Sequence, residues 1–206
     1  MSFYCIIYKP FNVLSQFTSQ DGKQTLKDHF DVPIDVYPVG RLDYDSEGLL
    51  VLTNDKKLNH ALLNPLHEHV REYWVQVDGS ITSEAIRSLQ QGVTISTDGK
   101  DHHTKKCIAS IFDEAPVVPD RDPPVRFRKN IPTSWIQIEL TEGRNRQVRK
   151  MTAAVGFPTV RLIRHRIEKC TIDGLQPGEM RIFGEKEIYH LLSINKTNAP
   201  TDKRRF

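Results

Sequence analysis

Gly40-Arg41-Leu42-Asp43-Tyr44-Asp45-Ser46-Glu47-Gly48-Leu49-Leu50-Val51-Leu52-Thr53-Asn54-Asp55 divides into a polar, turn-like half and an apolar half. Residues 49–53 form a continuous apolar run between Gly48 and Asn54-Asp55, the pattern of a strand buried in a core. Such a strand anchors the loop that carries Asp43. A carboxylate held in this way is either structural, for instance capping the turn, or chemical.

Toward the N-terminus, residues 3–8 are apolar and β-favouring and read as an opening strand. Lys9-Pro10-Phe11-Asn12 ends it, because proline has no N–H to give to a ladder. Residues 25–30 suit a short helix with Leu26 and Phe30 on one side. Beyond the central run, 57–63 looks helical until Asn64-Pro65, since the residue before a proline is pushed out of the helical region. Residues 71–79 alternate, with Tyr73, Val75 and Val77 on one face and Trp74 and Gln76 on the other. Thr82 or Ser83 can cap a helix through Gln91, and Gly92 stops it. Residues 93–96 and 107–112 are further strands with a polar, histidine-containing link between them. Residues 135–140 alternate again, and Glu142-Gly143 turns the chain into a helix over 144–155. Residues 161–163 and 181–183 are short strand candidates, 188–194 is ambiguous, and 195–206 is a polar tail. Strands and helices mix without a regular βαβ alternation, so the fold class is α+β.

The chain has 206 residues, with the apolar and charged content of an ordinary globular protein. No apolar run approaches the ~20 residues of a membrane span, and the N-terminus lacks a signal-type leader. Three widely spaced cysteines, at 5, 107 and 170, form no CxxC pair and read as core fillers in a reducing, cytoplasmic setting. The formal net charge is only +3, but residues 121–169 carry 12 Lys/Arg against 4 Asp/Glu. A basic half beside an acidic remainder suits a polyanionic partner, or equally a solvated basic surface. Five of the twelve prolines fall within 116–132, interleaved with Arg121, Arg126, Arg128 and Lys129. That is an extended basic loop, either an arm for a polyanion or merely mobile.

On a helix starting near Arg144, Val148, Met151 and Val155 form one stripe, and Arg146 and Lys150 lie roughly opposite. Arg149 falls on the border, from which it can reach sideways into a cleft; a solvated helix with one buried stripe fits the spacing as well. Asp43 and Asp45 precede their strand rather than follow it, unlike the paired aspartates of phosphoryl transfer. With Glu47 they offer too few oxygens for an EF-hand. His67-Glu68-His69 lacks further zinc ligands. Neither a Walker loop nor GxGxxG is present.

Four stretches, in order, carry a family resemblance. The 40–50 loop resembles the signature loop of the bacterial ribosomal pseudouridine synthases of the RsuA type. Tyr8-Lys9-Pro10 with Val13-Leu14-Ser15 resembles their opening motif, and Tyr73 with Val75-Gln76-Val77-Asp78-Gly79 their tyrosine strand. Glu142-Gly143-Arg144-Asn145-Arg146-Gln147-Val148-Arg149-Lys150-Met151, with Arg161-Leu162-Ile163-Arg164, resembles their final motif. The family usually carries an N-terminal S4-type RNA-binding domain. Here the motifs begin at residue 4, so the expectation is one catalytic domain over 1–194, in two lobes dividing near 65–70, without an S4 domain.

The resemblance implies a largely antiparallel mixed sheet around an RNA-binding cleft and isomerisation of uridine to pseudouridine, without metal or cofactor. It implies Asp43 as catalytic aspartate, Arg149 as its partner and Tyr73 stacking on uracil with Val148 behind. RNA contacts fall to Arg41, Arg144, Arg146, Lys150, Arg126, Arg128, Lys129, Arg161 and Arg164. Residues 130–135 and the missing S4 domain resemble members acting on large-subunit ribosomal RNA, with a monomer expected. The alternatives are small-subunit rRNA or tRNA, a non-catalytic rRNA-binding module, and a metal-dependent carboxylate hydrolase.

Overall fold

A computed structural model describes residues 2–125 and 132–194. The proposed arm residues Arg126, Arg128 and Lys129 lie outside the described residues. In chain order the elements are β1 (Tyr4–Lys9), β2 (Tyr37–Pro38), β3 (Glu47–Thr53), α1 (Lys56–Leu63), β4 (Arg71–Asp78), α2 (Ser83–Gln91), β5 (Thr94–Thr97), β6 (Lys100–His103), β7 (Ile108–Ile111), β8 (Thr133–Leu140), α3 (Gln147–Ala154), β9 (Thr159–Ile167), β10 (Cys170–Thr171), β11 (Met180–Ile182) and α4 (Glu185–Leu191). One sheet runs β11-β1-β3-β9-β4-β8-β7, with β10 added to β9 and β2 to β3. Within it β3 and β9 are parallel and the other pairs antiparallel. The fold is therefore α+β, as the mixed pattern predicts.

The continuous apolar run has a simple cause. Leu49 and Val51 enter one core with Tyr4, Ile6 and Tyr8, while Leu50 and Leu52 enter another with Cys5, Ile7 and Leu26. β1 and β3 are thus buried on both faces and have no polar side to show. Each of these leucines, fully removed from water, contributes about 1.5–3 kcal/mol of transfer free energy. A third core, built on Val75, Val77, Ile138, Val148 and Leu162, fills the space under α2 and α3. Asp55 caps α1 by accepting from the N–H groups of Lys57 and Leu58, and Thr82 caps α2 through Ala85 N–H.

Gly48 decides how close β9 can come to β3. Its φ is +107°, and a Cβ there would lie 2.4 Å from the Arg164 carbonyl oxygen, so no other residue fits. This contact fastens the Asp43 loop to β9, a strand that comes from far along the chain.

Several elements differ from the sequence expectation. Residues 25–30 hold only a 3-10 turn, Leu26–Asp28, although Leu26 and Phe30 are both buried. The polar histidine link contains β6, which makes a hairpin with β5 around Asp98-Gly99, two residues with positive φ. The strand at 161–163 is the middle of β9, nine residues long. α3 starts at Gln147, not near Arg144, because Arg146 sits in the left-handed region with φ 54° and cannot continue a helix. Of the ambiguous residues 188–194, those up to Leu191 are the end of helix α4 and the rest turn away from it, with Ile188, Tyr189 and Leu192 buried.

Candidate active site

The opening motif cradles the Asp43 loop. Ser15 Oγ donates to the Leu42 carbonyl at 2.8 Å and accepts from Leu42 N–H at 3.0 Å. Asn12 N–H donates to the Tyr44 carbonyl, and Ser46 N–H closes a turn onto the Asp43 carbonyl. Beneath the loop Lys9 is fully buried, its ammonium donating to the Pro10 and Val13 carbonyls at 2.7 and 2.8 Å. Burial pushes Lys9 down to about 7, against the opposing pull of Glu47, Asp45 and Asp43. From the sequence Lys9 is only the end of a strand; nothing local in Lys9-Pro10 reveals that three acids lie above it.

A cleft of about 1060 Å³ opens over this loop. Asp43, Arg41 and Leu42 form one wall, Arg144, Arg146 and Val148 another, and Tyr73, Leu162 and Arg164 come from the sheet. Arg41, Val148, Arg144 and Arg146, all named from the resemblance as substrate contacts, thus meet Asp43 and Tyr73 in one cavity. Arg41 and Arg144 are exposed on its rim, whereas Val148 is buried behind it.

The expected Asp43–Arg149 pair is not what forms. Arg149 instead turns to Asp45, with Nε 3.4 Å from Oδ2 and Nη2 donating to the Asp45 carbonyl. Arg146 makes a two-pronged contact with the same carboxylate, 2.8 Å on each arm. Asp45, which reads from the sequence as loop structure, therefore organises both arginines. Burial alone would raise Asp45, but the hydrogen bonds from Arg146 and the charge of Arg149 outweigh it and hold the carboxyl below its ordinary value. Asp43 meets only the edge of this group, its Oδ2 lying 3.7 Å from Arg146 Nη1. The left-handed turn at Arg146 is what aims that side chain back at the loop rather than outward.

Two other expected RNA contacts are corrected. Arg161 is 6% exposed and spends its guanidinium on Glu47, through bonds of 2.9 and 2.8 Å, and on the Pro119 carbonyl. It cannot reach a phosphate. Lys150 is half-buried and does not line the cleft. Arg164 does line it, though buried: its Nε donates to the Leu49 carbonyl, and its Nη2 has no hydrogen-bond acceptor among the described residues.

A carboxylate open to a groove, ringed by arginines and faced by an aromatic ring, suits a polyanion that carries planar bases. Site and fold together define an enzyme working on a nucleic-acid strand. Residues 3–154 match the RNA pseudouridylate synthase family, and the chain belongs to it. It is 49% identical over 176 residues to the ribosomal large subunit pseudouridine synthase E of Vibrio parahaemolyticus, covering 85% of this chain and 71% of that one. It is also 49% identical over 174 residues to the protein of the same name from Xanthomonas axonopodis, covering 84% and 89%. A solved pseudouridylate synthase superposes with a TM-score of 0.75 at 26% identity, over 93% of this chain and 74% of the other. The chain is accordingly an RNA-modifying isomerase, and the motif order read from the sequence identifies the right family.

Proposed function

We propose that the chain isomerises one uridine of large-subunit ribosomal RNA to pseudouridine, with Asp43 as the catalytic aspartate. The observation that carries this reading is the position of Asp43: it lines the cleft together with Tyr73 and Val148, while its neighbour Asp45 takes up the arginines. The large-subunit target is supported by the names of the relatives quoted above.

The reaction breaks the bond between N1 and C1′, turns the uracil, and joins C5 to C1′. The C5 proton leaves and N1 takes one up, so nothing is gained, lost, oxidised or reduced. Asp43 acts at the ribose. Tyr73 stacks on the freed ring, and its hydroxyl is the candidate acceptor of the C5 proton. Arg149 acts through Asp45 rather than on Asp43 directly, which makes it a positioning residue. Arg41, Arg144 and Arg146 on the rim take phosphates, offsetting the few kcal/mol needed to turn the uridine out of its stack. The enzyme works where ribosomal RNA is assembled, in the cytoplasm.

The test is a site map. Ribosomal RNA from a strain lacking the gene, treated with carbodiimide and reverse-transcribed, should lose one large-subunit pseudouridine. Wild-type protein should restore it and Asp43→Asn should not. Persistence of every ribosomal pseudouridine in the deletion strain would reject the large-subunit target.

A further inference from the structure

Behind the cleft, on the opposite face of the sheet, lies a cluster of charge that the reaction does not use. β4 and β9 shift register at two points, and at the one beside this cluster Glu72 faces Arg166 and Tyr73 faces Arg164, so His165 is an extra residue. This is a β-bulge, which sends the side chains of His165 and Arg166 to the same rear face. There His165 Nδ1 lies 3.1 Å from Glu72 Oε1, and Nε2 lies 2.9 Å from Asp173 Oδ1. A ring with a carboxylate at each nitrogen must donate from both, which is the bonding pattern of an imidazolium. The Trp74 indole stacks on it, with centroids 3.8 Å apart and planes at 13°. Glu72 also accepts from Trp74 Nε1 and Arg166 Nε, and Arg166 reaches Glu139 on β8.

The residues on either side of this cluster are the ones that face the cleft. Tyr73 follows Glu72, and Arg164 precedes His165. We propose that His165, clamped as an imidazolium between Glu72 and Asp173, is a positioning residue that fixes the bulge and thereby sets Tyr73 and Arg164 in the cleft. The proposal rests on the reading of Tyr73 as an active-site residue.

The ionisation agrees with the geometry. Burial alone would lower His165, but its bonds to Glu72 and Asp173 outweigh that and raise it above its ordinary value. Burial would likewise raise Glu72, yet bonds from His165, Arg166 and Trp74 hold it down to about 2. A histidine raised on folding lends its stabilisation fully below its ordinary pKa of about 6.5 and loses it as pH rises through the folded value. The clamp therefore loosens on the alkaline side. The charged groups facing the ring are Glu72 from β4 and Asp173 from the turn after β10, with Arg166 and, through it, Glu139 in the next shell.

Single-turnover pseudouridine formation, with enzyme in excess over RNA, should be followed from about pH 6 to about pH 10. The wild-type rate constant should fall on the alkaline side. Asp173→Asn removes a partner that is largely exposed, so it should fold normally; its fall should move to lower pH by roughly half a unit or more. His165→Phe keeps the ring against Trp74 but offers no donor. It should lose the alkaline limb and run about tenfold slower at neutral pH, a factor worth about 1.4 kcal/mol, with RNA affinity unchanged. In a Trp135→Phe background, Trp74 emission should titrate with the same midpoint as the rate, since a stacked imidazolium quenches indole. An Asp173→Asn profile that superimposes on wild type, or a His165→Phe enzyme at full rate, would overturn the proposal while Tyr73→Ala remains impaired. A Tyr73→Ala enzyme at full rate would overturn the reading of the site and the proposal with it.

Discussion

Glu47 and Asp43 sit on one loop-to-strand segment, and each faces arginines from beyond residue 140, yet their surroundings are opposite. Glu47 is 2% exposed at its side chain and is gripped by two bonds from Arg161, which is itself buried. Asp43 is a third exposed, lines the cleft, and among the described residues meets its nearest guanidinium at 3.7 Å. An acid whose two oxygens are both held by a buried guanidinium can hold strands together but is shut away from a substrate. An acid that lines the cleft, with a guanidinium near but not bonded to it, is placed to meet a substrate. Asp45 stands between the two, sharing the arginines so that they do not close over Asp43.

The comparison breaks first at the buried pair. Glu47→Gln should lower folding stability by about 3–5 kcal/mol, measured by urea unfolding, because it strands the Arg161 charge in the core. Replacing both residues by methionine should recover most of that loss. If the double variant is as unstable as the single, the pair specifies the β3–β9 alignment rather than merely satisfying itself.

At the cleft the effects on folding should be smaller and the effects on RNA larger. Arg146→Ala should weaken RNA binding about evenly across sequences and reduce the slope of log affinity against log salt by about 1, read from filter binding at several salt concentrations. Its stability should change by less than about 1 kcal/mol, since the side chain is 43% exposed. Asp45 gives the smallest effect on folding. Its carboxyl is depressed in the folded state, so the stabilisation is present above its ordinary value and fades as pH falls through the folded one. Asp45→Asn should remove that acid-side dependence, again under about 1 kcal/mol because the group is a third exposed. Thermal melts at pH values below about 5 would read it.

Much of this is legible in the chain. The run at 49–53, the alternation of β4, the stop of α1 at Asn64-Pro65 and the cap of α2 are local patterns, and local patterns survive translation into structure. The order of the four motifs locates Asp43, Tyr73 and the α3 region correctly around one cleft. What stays hidden depends on partners about a hundred residues away. Arg161, Arg164 and His165 make β9 look like a short strand in a solvated basic stretch. Each is in fact buried and answered: by Glu47, by the Leu49 carbonyl, and by Glu72 with Asp173. For the same reason the resemblance pairs Arg149 with Asp43, whereas the structure pairs it with Asp45. Asp43 and Asp45 differ only in the direction their backbone points them, and that is set by Ser15 and Asn12 holding the loop.

The most direct test of the account places Asp43→Asn beside Glu47→Gln in one assay. RNA labelled with tritium at uracil C5 loses that label when C5 bonds to the ribose, so tritium release under single-turnover conditions reads the chemistry itself. Asp43→Asn should melt and bind RNA like wild type but release no label above background. Glu47→Gln should release label at a rate that follows its folded fraction. Release by a folded, RNA-bound Asp43→Asn enzyme at the wild-type rate would contradict the assignment of Asp43 as the reacting carboxylate.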